Sequence, residues 1–248
     1  MSAETQEIQT ERTSVLSSPT GFATEATWNA YSTPRPRVAS PTRRFSYRVV
    51  KRAFDVLAVL AVSPILVPLF AVIALAVQLS SPGPVFFSHR RIRSHGDFFS
   101  MWKFRTMCVN SAEVLEEYLA KHPEARAEWR ETHKLTKDPR VTRVGNFLRR
   151  TSLDELPQLW NVLTGSMSLV GPRPIVAAEV EKYGDEFAAY AAVKPGVTGL
   201  WQVSGRSNTS YDERVKYDRQ YAQEWSLRMD LMILVRTVTS VWHGDGAY

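Results

Sequence analysis

The run AFDVLAVLAVSPILVPLFAVIALAV, from Ala53 to Val77, constrains this chain more than any other feature. Its only formal charge is Asp55. A helix needs about 20 apolar residues to cross the hydrocarbon core of a bilayer, and this run is long enough. The alternative is a buried core helix. Such helices seldom stay this apolar beyond about 14 residues, so the run predicts membrane contact.

Ser63-Pro64 and Pro68 sit near the middle of the run. A proline removes an N–H and obstructs the carbonyl four residues earlier, here those of Leu60 and Pro64. Weakened turns at one spot predict a sharp kink. The Ser63 hydroxyl is placed to satisfy a freed backbone group. Both flanks are basic: Arg43, Arg44, Arg48, Lys51 and Arg52 upstream, then His89, Arg90, Arg91, Arg93, Lys103 and Arg105 downstream. Flanks rich in Lys and Arg stay in the cytoplasm. A full crossing would export one of them, whereas a bent helix that enters and returns keeps both inside. The expectation is a re-entrant, monotopic anchor over residues 45–79, kinked at Ser63 and Pro64. A single crossing is the other reading.

Residues 1–44 are rich in Ser, Thr and Pro and carry Glu4, Glu7 and Glu11. They read as a disordered polar tail, and as neither a secretory signal nor a transit peptide. Residues 80–242 mix charged and apolar residues as a globular domain does. The expected fold class is mostly α (α+β): a monotopic membrane protein with a re-entrant kinked N-terminal helix, a small β-hairpin and amphipathic interfacial helices. Cys108 is the one cysteine among 248 residues, which excludes a disulfide framework and a multi-thiolate zinc site. The five histidines show no metal-ligand spacing. Lys and Arg number 31 against 25 Asp and Glu, a net charge of +6. That balance suits a phosphate-rich partner: nucleic acid, an anionic membrane or a nucleotide substrate.

Ser80-Ser81-Pro82-Gly83-Pro84 breaks the apolar helix. Two β-prone runs, Val85–Ile92 and Phe98–Phe104, flank a turn and predict a hairpin. Helices are expected from Ser111, interrupted at Pro123, and again from Glu124 to Lys134. Val141 to Arg150 is short and very basic. Leu156, Leu159, Trp160 and Leu163 share one face of a helix expected from about Asp154 to Leu163, ended by Gly165. Glu179 to Tyr190 reads as helical. Two helices, Tyr211–Trp225 and Leu227–Trp242, close the chain. Their aromatics (Tyr211, Tyr217, Tyr221, Trp225, Trp242) suit either a membrane–water boundary or an ordinary core.

The candidate chemistry lies in Arg149-Arg150-Thr151-Ser152-Leu153-Asp154-Glu155-Leu156-Pro157. Proline is tolerated in a helix's first turn, so adjacent carboxylates are expected at a helix N-terminus. Ser152-x-x-Glu155 also matches a plain capping box. Carboxylates can hold a divalent ion or attack phosphorus, and arginines grip phosphate. Arg173, between two prolines, loses little freedom when it grips a phosphate. Lys103 and Arg105 alternate with aromatics and would share one face of a strand.

These residues carry a resemblance. Lys51-Arg52-Ala53-Phe54-Asp55 with Ser63-Pro64, Ser81-Pro82-Gly83-Pro84, Lys103-Phe104-Arg105-Thr106-Met107, Asp138-Pro139-Arg140, Ser152-Leu153-Asp154-Glu155-Leu156-Pro157, Gly171-Pro172-Arg173-Pro174 and Pro195-Gly196-Val197-Thr198-Gly199 follow one another in order. The chain resembles the bacterial sugar transferases of the monotopic phosphoglycosyl transferase superfamily, and within it the exopolysaccharide-initiating branch. The resemblance implies transfer of a hexose 1-phosphate from a UDP-hexose to polyprenyl (undecaprenyl) phosphate, with release of UMP. It implies Mg²⁺ dependence, Asp154 as nucleophile forming a covalent phosphosugar, and Glu155 as the partner acid that helps hold the metal. It matches Arg149 and Arg173 to phosphate-binding arginines. Lys103 and Arg105 join the substrate-binding set on their cationic character. Localisation would be the bacterial inner membrane, with residues 80–242 as a catalytic domain facing the cytoplasm. The expected partners are the UDP-hexose, undecaprenyl phosphate and the membrane, not nucleic acid; a homodimer stays open. Glucose and galactose are the expected hexoses.

One position departs from the pattern. The family commonly has Gly-Asp-Met-Ser where this chain has Gly165-Ser166-Met167-Ser168, so an accessory carboxylate is missing. No other apolar run is long enough to span a bilayer, so the likeness is to the short form. A competing function is a membrane-anchored basic adaptor that binds anionic lipid or nucleic acid.

Overall fold

The computed structural model describes residues 45–132, 134–205 and 209–243. The expectation for residues 1–44 lies outside them. Helix α1 runs over Phe45–Ser80, with Pro64 and Pro68 inside it. It is long and apolar enough to cross a membrane, and 11% of its most apolar window is buried. The carbonyl that Pro64 deprives of a partner is taken up locally: the Ser63 hydroxyl donates to Leu60 O at 2.8 Å. The helix does not break here but continues through both prolines.

Strands β1 (Phe86–Ile92) and β2 (Phe98–Phe104) pair antiparallel, with Phe86 opposite Phe104 and Ile92 opposite Phe98. This is the expected hairpin. Helices α2 (Ser111–Lys121) and α3 (Pro123–Thr132) follow, split at Pro123 as expected. The basic stretch forms helix α4 (Arg143–Arg150), capped by the Thr142 side chain, which accepts from Gly145 N. Gly145 is needed for close approach: a Cβ there would lie 2.1 Å from the Thr106 carbonyl.

The helix expected from Asp154 is replaced by two pieces. Leu153–Glu155 is one 3₁₀ turn, and helix α5 begins only at Gln158 and ends at Thr164. Ser152 enters the turn with φ 56° and makes no side-chain cap, so the capping box does not form. Its left-handed backbone is incompatible with the extended conformation of an N-cap. Two three-residue strands, β3 (Ser168–Val170) and β4 (Gly196–Thr198), pair parallel. The segment expected as one helix to Tyr190 is split into α6 (Val180–Tyr183) and α7 (Phe187–Ala191), because Gly184 sits at φ 50°. Short α8 (Leu200–Ser204) precedes α9 (Tyr211–Glu224) and α10 (Leu227–His243).

The two halves of α1 pack on different parts of the body. Val59 joins Phe99, Met101, Val162 and Met167. Ile73 and Val77 join Phe104 and Leu148. At the helix base, Lys51 Nζ lies 2.7 Å from Asp230 Oδ2 and 3.6 Å from Asp55 Oδ1, all three side chains buried. Asp55 Oδ1 also accepts from Ser168 Oγ and Leu169 N. Tyr221 and Trp225 bond Asp230. Tyr221 is buried and Trp225 is half-buried, and both turn their polar atoms inward to Asp230. The outward face of α10 is aliphatic instead, with Leu231, Met232, Val235 and Val238 exposed.

Behind the hairpin, Tyr183 donates to Asp218 Oδ2 at 2.6 Å. Burial, the largest cause, pushes the Asp218 carboxyl up to about 6 from the ordinary 3.8, against the Tyr183 hydrogen bond and Arg214, which favour the anion. A raised folded pKa gives stability that is complete below the unfolded value and lost as pH rises through the folded one. Stability is thus expected to fall by on the order of 3 kcal/mol between pH 4 and pH 7 through this group. Asp218→Asn should flatten that part of the pH dependence of the unfolding midpoint. An unchanged slope would remove Asp218 as its source.

A candidate active site at the carboxylate pair

The Leu153–Glu155 turn owes its placement to its leucines. Three residues per turn put Leu153 and Leu156 on the same side. Both pack against the cluster of Ile73, Val77, Phe104 and Leu148. Asp154 and Glu155, between them, are left to face the hairpin. The acidic pair therefore rests on the C-terminal half of the apolar helix.

Lys103, near the end of β2, reaches both acids. Its Nζ lies 3.3 Å from Asp154 Oδ2 and 2.6 Å from Glu155 Oε1. The two carboxylates respond in opposite senses. Burial is the largest influence on Asp154 and raises its pKa; Glu155 adds to this, while Lys103 and Arg149 oppose it. Burial also raises Glu155, but Lys103, Arg173 and Arg91 together outweigh it and hold the group below the usual carboxylate range. Two neighbouring acids with divergent environments are the usual sign of divided roles.

Arg149 comes to this place through Gly145, which lets α4 lie against the strand end. Its Nε donates to Thr106 Oγ1 at 2.9 Å, and its charge reaches Asp154 from that side. The charge of Arg173 acts on Glu155, and its Cζ lies 6.0 Å from the Trp201 ring centre. Asp154, Glu155, Lys103, Arg149 and Arg173 thus gather at one site.

Arg105 does not. β2 ends at Phe104, so the alternation that would put Arg105 beside Lys103 stops one residue short. Its guanidinium donates to the Ser81 and Pro82 carbonyls and holds the breaker turn. Gly83, at φ 121°, makes room for it, since a Cβ there would meet Arg105 Nη1. Ser166 is also remote in its bonding: its hydroxyl donates to Asn161 O and accepts from Asn161 Nδ2 in the turn after α5. Sequence reading missed Arg91, Glu179 and Arg214, which surround the Arg173 backbone.

Among the described residues no group of three or more His, Cys, Asp or Glu side chains converges as a ready metal cage. The donors are the two carboxylates, and both touch one ammonium, so they are turned toward a single cation position. An all-oxygen donor pair fits the chemistry of Mg²⁺, which is rarely held by protein ligands alone.

A membrane-length apolar helix bearing a mainly helical body fits membrane association, and that body sets an acidic pair among a lysine and arginines. The chain belongs to the bacterial sugar transferases, whose family model matches residues 46–244. It is 49% identical over 212 residues to the UDP-galactose-lipid carrier transferase of Erwinia amylovora, covering 86% of this chain and 44% of that protein. It is 50% identical over 200 residues to the exopolysaccharide production protein ExoY of Rhizobium meliloti, covering 81% and 88%. The UDP-glucose:undecaprenyl-phosphate glucose-1-phosphate transferase of Escherichia coli is 42% identical over 209 residues, covering 81% and 42%. The chain spans less than half the length of several of the curated relatives it matches.

Proposed function

We propose that this chain transfers a hexose 1-phosphate, glucose or galactose, from a UDP-hexose to undecaprenyl phosphate. Asp154 is the nucleophile. One of its carboxylate oxygens attacks the β-phosphorus, the bond from that phosphorus to the bridging oxygen breaks, and UMP leaves with that oxygen. An oxygen of the lipid phosphate then attacks the same phosphorus. The aspartyl–phosphorus bond breaks, Asp154 is regenerated and the lipid carries a diphosphosugar. Dividing the transfer lets a soluble and a lipid substrate use one site in turn. Lys103, Arg149 and Arg173 neutralise the phosphates as negative charges are brought together. Asp154 and Glu155 would hold Mg²⁺, which supplies further charge neutralisation when bound.

The observation that carries this reading is the buried Asp154 carboxylate, on Lys103 and flanked by arginines, in a turn seated on the apolar helix. The names of the relatives, which join UDP-sugars, undecaprenyl phosphate and exopolysaccharide, support it. The test is UMP release from UDP-glucose and UDP-galactose with Mg²⁺ and undecaprenyl phosphate. No release from either donor would sink the reading.

The proposed anchor is re-entrant, with residues 80–242 on the cytoplasmic side of the inner membrane. No residue between Val59 and Ile73 is buried, while the flanking arms both pack on the body. That pattern suits an apex immersed in lipid and two arms returned to one face. The bond from Ser63 to Leu60 O satisfies, inside hydrocarbon, the carbonyl that Pro64 leaves without its helical donor. Replacing Pro64 and Pro68 by Leu is expected to favour full crossing. With Cys108→Ser and Phe45→Cys, an impermeant thiol reagent should label intact cells only in the double-proline variant. Labelling that stays confined to permeabilised cells would count against the bend.

A further inference from the structure

The backbone around Arg173 is gripped from two sides. Arg91, on β1, points Nη1 at the Pro174 carbonyl, 3.5 Å away. Arg214, on α9, points Nη2 at the Arg173 carbonyl, 3.4 Å away. One carboxylate joins the two grips. Glu179 Oε2 lies 3.7 Å from Arg91 Nη1, and Glu179 Oε1 lies 3.2 Å from Arg214 Nη1. Glu179 is itself held by Val176 N on Oε2 at 2.9 Å and by Tyr211 OH on Oε1 at 3.4 Å.

We propose that Glu179 is a positioning residue for phosphate recognition: by pairing with Arg91 and Arg214 at once, it clamps the Pro172-Arg173-Pro174 segment and aims the Arg173 guanidinium at the carboxylate pair. The physical need is clear. Three guanidinium groups meet here, and each repels the others. Without a shared anion, Arg91 and Arg214 would move apart or turn to solvent, and the two carbonyls would lose their donors. The prolines limit how the segment can bend but do not orient it. The clamp does, using one residue from the hairpin, one from the turn before α6 and one from α9. Trp201 completes the arrangement, with Arg214 Cζ 5.2 Å and Arg173 Cζ 6.0 Å from its ring centre. The field of Arg173 and Arg91 on Glu155 agrees with this aim.

This inference rests on Arg173 as a phosphate-binding group, and the test separates the two ideas. The probe is inorganic pyrophosphate, titrated calorimetrically against purified full-length protein. Arg173→Ala should weaken binding about 10- to 100-fold, as for a lost charge-assisted hydrogen bond. Glu179→Gln keeps the shape and the Val176 bond but removes the charge, and should weaken binding about tenfold. The double variant should bind within about twofold of Arg173→Ala alone, because Glu179 acts through Arg173. A double variant about tenfold weaker than Arg173→Ala, or wild-type-like binding by either single variant, overturns the proposal. Should Glu179→Gln fail to fold, Arg214→Gln cuts the link to the Arg173 carbonyl and runs the same cycle with the same outcomes. In turnover, Glu179→Gln should raise KM for the UDP-hexose with kcat within about threefold. A merely structural defect would lower kcat through the active fraction and leave KM alone. Wild-type protein that binds pyrophosphate but releases no UMP would sink the transferase reading, while the cycle still decides the clamp.

Discussion

Asp154→Asn protein, folded and membrane-bound, is expected to lose UMP release by about ten-thousand-fold, because an amide cannot take the place of the attacking carboxylate. The wild type, given UDP-hexose and Mg²⁺ without lipid, should gain the mass of a hexose phosphate at Asp154, and the variant should not. The geometry supports so large a loss. The Asp154 side chain is only 11% exposed, so bulk water is a poor stand-in for its oxygen. Asn keeps the side-chain volume and a contact for Lys103, so a collapse of the fold is not expected to confuse the result. Binding of pyrophosphate or UMP should survive, since Lys103, Arg149 and Arg173 remain. That pattern, binding kept and transfer lost, also separates an enzyme from a basic adaptor, for which the variant would behave as wild type. Turnover without an adduct would instead point to direct transfer between donor and lipid.

The parts of this molecule that could be read from the sequence are those with a local cause. The hairpin followed from two β-prone runs around a turn, and its observed strands, Phe86–Ile92 and Phe98–Phe104, lie close to the expected ones. The apolar helix followed from its length, and the use of the Ser63 hydroxyl from the steric effect of Pro64. Asp154, Glu155, Arg149 and Arg173 followed from motif resemblance and Lys103 from its cationic character beside aromatics; no spacing along the chain required them to lie together. Errors arose where tertiary contacts overrode local preference. The acids sit in a 3₁₀ turn and not at a helix start because Leu153 and Leu156 are drawn into the core together and Ser152 turns left-handed before them. Arg105 looked like the partner of Lys103 until the strand ended between them. The parallel pair Ser168–Val170 and Gly196–Thr198 is too short to leave a periodic trace. The Arg91–Glu179–Arg214 clamp unites three distant segments, and charge counting cannot see which charges meet.

The largest expected loss of stability comes from Lys51→Met, at the base of the apolar helix. Among the described residues, Lys51 is the one cation bonded to Asp230, at 2.7 Å, and it also faces Asp55 at 3.6 Å. Met matches its length and apolar stem, so packing is largely kept, and what disappears is the charge. Two carboxylates are then left buried near each other with only neutral donors: Ser168 Oγ and Leu169 N for Asp55, Tyr221 and Trp225 for Asp230. Removing one member of a buried ion pair costs about 3–5 kcal/mol, because the remaining charge cannot return to water. For a domain of this size that is a fall of about 6–20 °C in the unfolding midpoint of detergent-solubilised protein. The decisive comparison is Lys51→Met with Asp230→Asn added. If unbalanced charge is the cause, the second substitution should restore part of the lost stability, although each is harmful alone. If the network instead works by hydrogen-bond shape, the two losses should add. Recovery would mean that the charge of Lys51, set against two buried carboxylates, is what holds the helix base to the β3 strand and α10.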